Sequence, residues 1–227
     1  MGSSLVRSLQ AGGLLALLTG CVVVLGGSSC NLGGIQGSGV PASQERTVGD
    51  FHRVVLLGSA DAVVTVGPAT SVRVQCDDNL LEHLRTEVTG GELRIWSERE
   101  LRPRGPLLVE VSTPALDGLQ VTGSGDLRAG GVAGEQLEAA VVGSGDIRAE
   151  GEVARLEAKV IGSGNLELYD LRAREASVKV TGSGDAHVNA VERLEAQITG
   201  SGDIRYRGSP KTDVRVTGSG NVAAERR

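Results

Sequence analysis

The sequence predicts an all-β protein, a β-helix or β-solenoid with coils of about 19 residues, preceded by a signal peptide. Three observations predict this class. Gly-Ser-Gly followed by Asp or Asn occurs six times at intervals of 20, 19, 20, 18 and 18 residues, beginning at Gly123, Gly143, Gly162, Gly182, Gly200 and Gly218. Apolar and polar residues alternate on both sides of each copy, as in half-buried strands, and no repeat contains a helical stretch. Glycine is abundant (34 residues) and aromatics are scarce, which favours a narrow aliphatic interior.

The N-terminus predicts export. Arg7 precedes an apolar stretch centred on residues 14–18, and small residues follow, which is typical of a secretory signal over residues 1–20. A retained anchor helix is the alternative. Leu18-Thr19-Gly20-Cys21 resembles the bacterial lipobox, which implies acylation of Cys21 and a lipid bilayer as partner. Cys30 is the alternative attachment site, although no Leu stands three residues before it.

The domain organisation follows from composition. Residues 21–45 are rich in Gly and Ser near their middle and are predicted to be a flexible tether. Residues 46–227 then form the β-helix domain, with irregular coils over 46–118 and regular coils over 119–227. A disulfide between Cys30 and Cys76 is one pairing that an oxidising compartment would allow.

The residue after each of the six regularly spaced Gly-Ser-Gly copies is an acid or its amide, and we expect these residues to form a structural turn ladder: Asp126, Asp146, Asn165, Asp185, Asp203 and Asn221. Glycine tolerates the positive φ of a tight bend, and Asp or Asn supports a turn by local hydrogen bonds. Several of the acids have a basic residue two positions later, as Asp126 has Arg128, which favours ion pairs over the alternative of a calcium column. No metal site or cofactor is expected.

The first half of the domain is less regular, but it continues the pattern of strands. Strands are predicted at 54–57, 62–66, 72–76, 93–96 and 107–111, with one helical turn after Asp77 and an exposed loop at 99–104. Gly58-Ser59-Ala60-Asp61 is a degraded copy of the corner, and Gly37-Ser38-Gly39 is a candidate outlying copy. Trp96 fits a buried core position better than a sugar-stacking platform.

At this point the chain resembles a known family. The segments DDNLLEHLRTEVTGGELRI (77–95) and VEVSTPALDGLQVTGSGDL (109–127), with the Gly-Ser-Gly-Asp ladder, are similar to the bacterial head GIN domain family of auto-transporter adhesins. The resemblance covers about residues 45–225. It implies a right-handed β-helix, a lipoprotein-like start and an adhesin function, and it supplies no catalytic residues to carry over. Ala60 departs from the family pattern, where a further glycine would stand.

Composition and motifs narrow the function. Net charge is −5, with no basic stripe, so nucleic acid is excluded as an expected partner. No catalytic motif occurs, and the expectation is a non-enzymatic cell-envelope or surface lipoprotein, anchored in the outer membrane and facing periplasm or exterior, that binds a glycan or another cell-surface ligand. The alternative is a polysaccharide-cleaving β-helix enzyme with its site near Trp96 or Arg102. A third role is scaffolding by strand pairing near Val222, where Glu225-Arg226-Arg227 would instead blunt the edge.

Overall fold

Each regular coil of the molecule crosses from one β-sheet to another at a Gly-Ser-Gly corner. The structure is a computed structural model that describes residues 34–225. The all-β solenoid class is confirmed. The strands are β1 Ile35–Gln36, β2 Pro41–Arg46, β3 Arg53–Gly58, β4 Asp61–Val66, β5 Ser71–Asp77, β6 Leu84–Thr89, β7 Glu92–Ser97, β8 Leu101–Arg102, β9 Leu108–Thr113, β10 Gly118–Gly123, β11 Leu127–Gly143, β12 Ile147–Gly162, β13 Leu166–Gly182, β14 Ala186–Gly200, β15 Ile204–Arg207, β16 Lys211–Gly218 and β17 Val222–Ala224.

We call the strands that lead into the corners the first sheet, and those that leave them the second sheet. The first sheet has the order β6-β7-β3-β10, then the later halves of β11 to β14, then β16. The second has the order β2-β5-β9-β4, then the early halves of β11 to β14, then β15 and β17. Register shifts where β11, β12 and β13 pass from the second sheet to the first mark the other bend of each coil.

The core is a stack of aliphatic side chains between the two sheets. Inward positions such as Leu127, Ile147, Leu166, Ala186 and Ile204 are fully buried and lie one above another in neighbouring coils. Alternation along the strand places every second residue in this stack, so the period-two pattern of the sequence is the pattern of the core. The scarcity of aromatics follows from the narrow space between the sheets.

The two glycines of each corner are required for different reasons. The first has φ between +121° and +133° from Gly123 to Gly218, a conformation that other residues rarely adopt. The second has ordinary φ, but a Cβ there would lie closer than 3.0 Å to a carbonyl oxygen of the preceding coil, as Gly145 would to Gly125. Coils stacked at about 4.8 Å leave no room for a methyl group at this point.

Ala60, at the start of the stack, occupies the position that the second glycine has in the later corners. Gly125 lies on the Ala60 carbonyl, so the degraded copy at 58–61 is the first corner of the ladder. The strands that lie beyond β3 and β4, namely β7 and β9, are joined by residues 98–107 rather than by a Gly-Ser-Gly corner. The Ala60 methyl group is therefore accommodated in the core, where it is 3% exposed.

The order of coils in the first half departs from the order in sequence. The β3–β4 coil packs directly against β10 and β11, and β7 and β9 pack on its other side. β5 and β6 run antiparallel to β9 and β7 and are joined through the 3₁₀ helix Asp78–Leu80, which confirms the predicted helical turn. β2 pairs with the outer edge of β5. Residues 67–117 therefore make an excursion that closes one end of the solenoid, which we call the end cap.

Two expectations about residues 35–45 are wrong. The tether was expected to reach residue 45, but β1 pairs with β8 and β2 pairs with β5, so the folded domain already includes residues 35–45. Gly37-Ser38-Gly39 is not an outlying corner, because Ser38 and Gly39 donate backbone hydrogen bonds to Asn79 and Asp77 in this end cap. The expected loop at 99–104 contains the short strand β8, with Leu101 buried.

Several expectations concern residues outside the described range 34–225. These are the signal at 1–20, the acylation sites Cys21 and Cys30, the Cys30–Cys76 pairing, and Arg226 and Arg227. Within residues 34–225 no helix has the length and apolarity that a membrane span requires.

Candidate functional site

The acids and amides of the corner form a continuous hydrogen-bond ladder. One side-chain oxygen of each accepts the backbone N–H of its counterpart in the next coil, over 2.7–3.1 Å. The ladder begins at Asp61, which the sequence placed only in a degraded copy, and it then passes through the predicted residues Asp126, Asp146, Asn165, Asp185, Asp203 and Asn221. Because only an oxygen acceptor is needed, Asp and Asn are equivalent here.

The predicted ion pairs two residues after each acid are mostly absent. Among the described residues, Arg205 approaches Asp203 at 3.8 Å, whereas neither Arg128 nor Arg148 has a carboxylate within 4.0 Å. His187 pairs with Glu167 of the preceding coil at 2.9 Å instead of with Asp185. In residues 34–225 no group of three or more His, Cys, Asp or Glu side chains could hold a metal ion. The ladder supports the backbone of the corner and leaves function to other surfaces.

The outward face of the second sheet carries a groove of about 490 Å³. One row of outward residues crosses it from strand to strand in the order Glu45, Arg73, Glu110 and Val63. Arg73 donates to Glu45 over 3.0 Å, and Gln75 donates to Glu110 over 2.6 Å. Hydroxyl groups complete the lining, from Thr47, Thr65, Thr70, Ser71 and Ser112.

A second groove of about 310 Å³ continues along the same face. Val63 and Thr65 line both grooves, so together the grooves extend from β2 across the sheet to β13. Arg128 and Arg148 stand directly opposite each other in neighbouring coils and both line the second groove. Two exposed guanidinium groups in this position repel each other. Glu167, which is in register with Arg148 on its other side, pairs with His187 instead. Glu150 and Asp170 line the same groove but approach neither guanidinium within 4.0 Å.

These two grooves, which we call the second-sheet groove, offer one kind of chemistry. Guanidinium groups donate planar pairs of hydrogen bonds, carboxylates accept, and hydroxyls do both. None of the residues that line it is aromatic, so no side chain offers a stacking platform. The groove is therefore suited to a polar ligand that is hydrogen-bonded along its length.

A separate cluster lies on the second sheet near the opposite end of the solenoid. The Tyr169 ring stacks on His187 with centroids 5.0 Å apart, and the Arg207 guanidinium lies 4.0 Å from the Tyr169 centroid. Tyr169 also donates to Glu225. Burial and this hydrogen bond raise the pKa of Tyr169 well above its usual range, and the same hydrogen bond lowers the pKa of Glu225. The cluster packs the last turns together, because its groups contact one another.

A third groove, of about 560 Å³, lies in the end cap. Its lining includes Pro41, Ala42, Cys76 and Pro106. Asp77 is almost fully buried beside it and accepts backbone N–H groups of Gly39 at 3.1 Å and Arg104 at 2.7 Å. Burial, with a smaller contribution from Asp77, raises the pKa of the Cys76 thiol to about 11. The walls of this groove are largely apolar.

The residues nominated for a catalytic site do not form one. Trp96 is half-buried on β7, and Arg102 is exposed on β8, where it pairs with Glu100 at 3.1 Å. Neither lines any of the three grooves. The second-sheet groove was missed by sequence reasoning. The signal for it was the pair Arg128 and Arg148, which stand at the same place in successive repeats.

Comparison with known proteins places the chain in a family. The family described as "putative auto-transporter adhesin, head GIN domain" matches residues 50–210. A putative adhesin from Bacteroides fragilis is 23% identical with a TM-score of 0.69, and the alignment covers 85% of this chain and 100% of that one. A putative lipid binding protein from Parabacteroides distasonis is 27% identical with a TM-score of 0.53, covering 85% and 99%. A putative adhesin from Parabacteroides distasonis is 22% identical with a TM-score of 0.56, covering 84% and 99%. No curated protein matches the chain.

Fold and surface together define a β-solenoid with an open polar groove on one face, a form typical of proteins that display a binding surface. The chain belongs to the head GIN domain family of putative auto-transporter adhesins. Membership indicates a surface or exported protein and favours adhesion over catalysis.

Proposed function

We propose that the chain is a non-enzymatic adhesin of the cell envelope that binds an acidic glycan along the second-sheet groove. One observation carries this proposal: Arg128 and Arg148 stand opposite each other without a carboxylate partner, in a groove otherwise lined by hydroxyls and acids. A carboxylate or sulfate on a sugar chain would relieve their repulsion through bidentate hydrogen bonds. The family description as an adhesin supports the same function.

The length of the groove suits a chain of sugars rather than a single small molecule. Seven strands from β2 to β13 at about 4.8 Å spacing span roughly 29 Å between the outermost strands. Sugar hydroxyls donate and accept, as do the Thr and Ser side chains that line the groove. Because the groove is open, a long polymer could enter at its middle, which is what adhesion to an intact surface requires.

The anchor forms part of the same proposal. Acylation of Cys21 would hold the protein on the outer membrane, with Cys30 as the alternative site. We expect Cys21→Ser to lose labelling by a fatty-acid analogue and membrane partitioning, whereas Cys30→Ser keeps both. The reverse result would assign the anchor to Cys30.

The experiment for ligand binding is a glycan array that contains acidic and neutral polysaccharides. We expect binding to acidic members, with affinity at least tenfold lower in Arg128→Gln/Arg148→Gln. Arg155→Gln is the matched control, because Arg155 is also an exposed arginine on β12 but lines neither groove. Binding that is unaffected by the double variant would contradict the site. Release of reducing sugar from any polysaccharide would show that the alternative, a carbohydrate-active enzyme, is correct.

Lipid binding is a second candidate, and the end-cap groove favours it. The 27% identical relative from Parabacteroides distasonis is named as a putative lipid binding protein, and Pro41, Ala42 and Pro106 give this groove apolar walls. A fatty acid bound there would shield the Cys76 thiol. We expect slower labelling of Cys76 by a small maleimide in the presence of a fatty acid, compared with an equal concentration of a short-chain acid. Equal labelling rates would exclude this groove as a lipid site.

A further inference from the structure

The C-terminal end of the solenoid exposes residues that belong to the core. Thr212, Val214 and Val216 of β16 are in register with the buried Leu194, Ala196 and Ile198. Val214 is nevertheless 45% exposed and Val216 is 42% exposed, because no strand of residues 34–225 covers them. Aliphatic side chains in this position are normally buried by the next coil.

The opposite end differs, because it is closed. There β5 and β6 run antiparallel to the strands beneath them, and Leu80 and Leu84 are buried under the 3₁₀ turn. A head-to-tail stack of copies would need two complementary open ends. With one open end and one closed end, the surface is suited to a closed pair rather than to a filament.

The edge of β16 has only part of the protection that such an edge usually carries. Between Lys211 and Gly218 it contains no proline and no bulge, and its three charged side chains, Lys211, Asp213 and Arg215, alternate with the core positions and lie on the outward face. Its free backbone groups can therefore accept another strand, as in other cases of strand addition.

We propose that β16 is half of a symmetric interface in which two copies of this chain pair antiparallel at their C-terminal ends. In an antiparallel pair, residues that lie directly opposite each other have their side chains on the same side of the sheet. The two-fold axis must therefore pass midway between the two copies of one residue, and we name the axis by that residue. An axis at Asp213 or Arg215 would bring like charges together. An axis at Val214 instead places Asp213 opposite Arg215 of the second copy, twice, and continues the core with Val214 against Val214.

This interface is independent of the proposed glycan groove, since β16 belongs to the first sheet. It also leaves the second-sheet groove of each copy uncovered. A dimer would present two such grooves from one assembly, which raises avidity for a polymer without any new contact.

Charge reversal in the full chain, solubilised in a mild detergent, tests the register. Two copies with different affinity tags are co-expressed, and their co-purification and dissociation constant are measured. We expect Asp213→Arg and Arg215→Asp each to weaken the dimer about tenfold or more, because each variant sets like charges opposite each other twice.

The double reversal Asp213→Arg/Arg215→Asp restores the pairs and should return the dissociation constant to within about threefold of the original. Arg155→Asp, an exposed reversal away from the edge, should leave it unchanged. Both β16 side chains are more than half exposed, so the variants should fold.

Cysteine crosslinking tests the geometry separately. Val214→Cys should form a disulfide-linked dimer on oxidation, because directly opposite residues lie about 4.5–5.5 Å apart between Cα atoms. Val216→Cys should not, since the two copies of residue 216 would be about 14 Å apart. Oxidation of the parent chain is the control for crosslinking through the native cysteines. A parent chain that stays monomeric at about 100 μM would overturn the proposal, as would a double reversal that fails to restore pairing or equal crosslinking at both positions.

Discussion

Gly164→Ala tests the stacking of the corners most sharply, because its effect is purely steric. Gly164 has ordinary φ, yet an added Cβ would lie closer than 3.0 Å to the Gly145 carbonyl oxygen and 2.7 Å from a Val141 methyl carbon. To relieve this steric overlap, the corner must move away from the preceding coil by about 1 Å. Ser163 and Gly164 each donate a backbone hydrogen bond to the Gly143 carbonyl, over 2.8 and 3.0 Å, and an opening of that size breaks both.

The expected cost is about 3 kcal/mol, from two lost hydrogen bonds at about 1 kcal/mol each and from disturbed packing beside Val141. For a domain of this size it corresponds to a fall in Tm of about 6–12 °C, measured by circular dichroism. Gly134→Ala is the matched control, since its Cβ would meet nothing within 4 Å, and it should change Tm by no more than about 2 °C. Ala60→Gly loses one buried methyl group and should cost about 1 kcal/mol. If Gly164→Ala melted within about 2 °C of the parent chain, the steric account of the repeat would be refuted.

Three further predictions concern side chains of the corner and the cap. Asp185→Ala should cost about 1–2 kcal/mol, because the Asp203 N–H loses its acceptor, while Asp185→Asn should cost less than about 0.5 kcal/mol in the same denaturant titration. An ion-pair or calcium role would instead make both substitutions equally harmful. Asp77→Asn should be clearly worse than Asp185→Asn, by about 2 kcal/mol, because both Asp77 oxygens accept backbone N–H groups and an amide can supply only one acceptor. Equal unfolding midpoints for Asp77→Asn and Asp185→Asn would contradict this expected difference. The neutral Cys76 thiol contributes stability that is complete below about pH 9 and is lost as pH rises towards 11, since folding raises its pKa to about 11. The free energy of unfolding should therefore fall more steeply between pH 9 and 11 in the parent chain than in Cys76→Val, and parallel profiles would exclude this linkage.

The regular half of the fold could be predicted because its information is local. Each copy of Gly-Ser-Gly-Asp/Asn carries its own turn, and the alternating residues around Val141 or Val160 define the core without reference to distant parts of the chain. The role of the acids was harder to predict. Asp146 and Asn165 are interchangeable as acceptors for the next coil, a relation that involves stacked backbones rather than side chains two residues apart.

The irregular half and the groove could not be predicted, because they depend on pairings distant in sequence. Asp61 supports Asp126 across 65 residues, and Val63 borders Arg128 only because the β3–β4 coil stacks on β10 and β11. Nothing local to Gly37 or Gly39 separates a cap loop from a corner. Their roles become visible only beside Asp77.

The central claim is that the repeat builds the solenoid while the groove that it displays binds the ligand. The most direct test compares binding of an acidic polysaccharide to the parent chain, Asp185→Asn and Arg128→Gln/Arg148→Gln at matched concentrations of folded protein. The account predicts that the ladder variant Asp185→Asn binds as the parent does and that the arginine variant binds at least tenfold more weakly. Loss of binding in Asp185→Asn, with binding retained in the arginine variant, would contradict it.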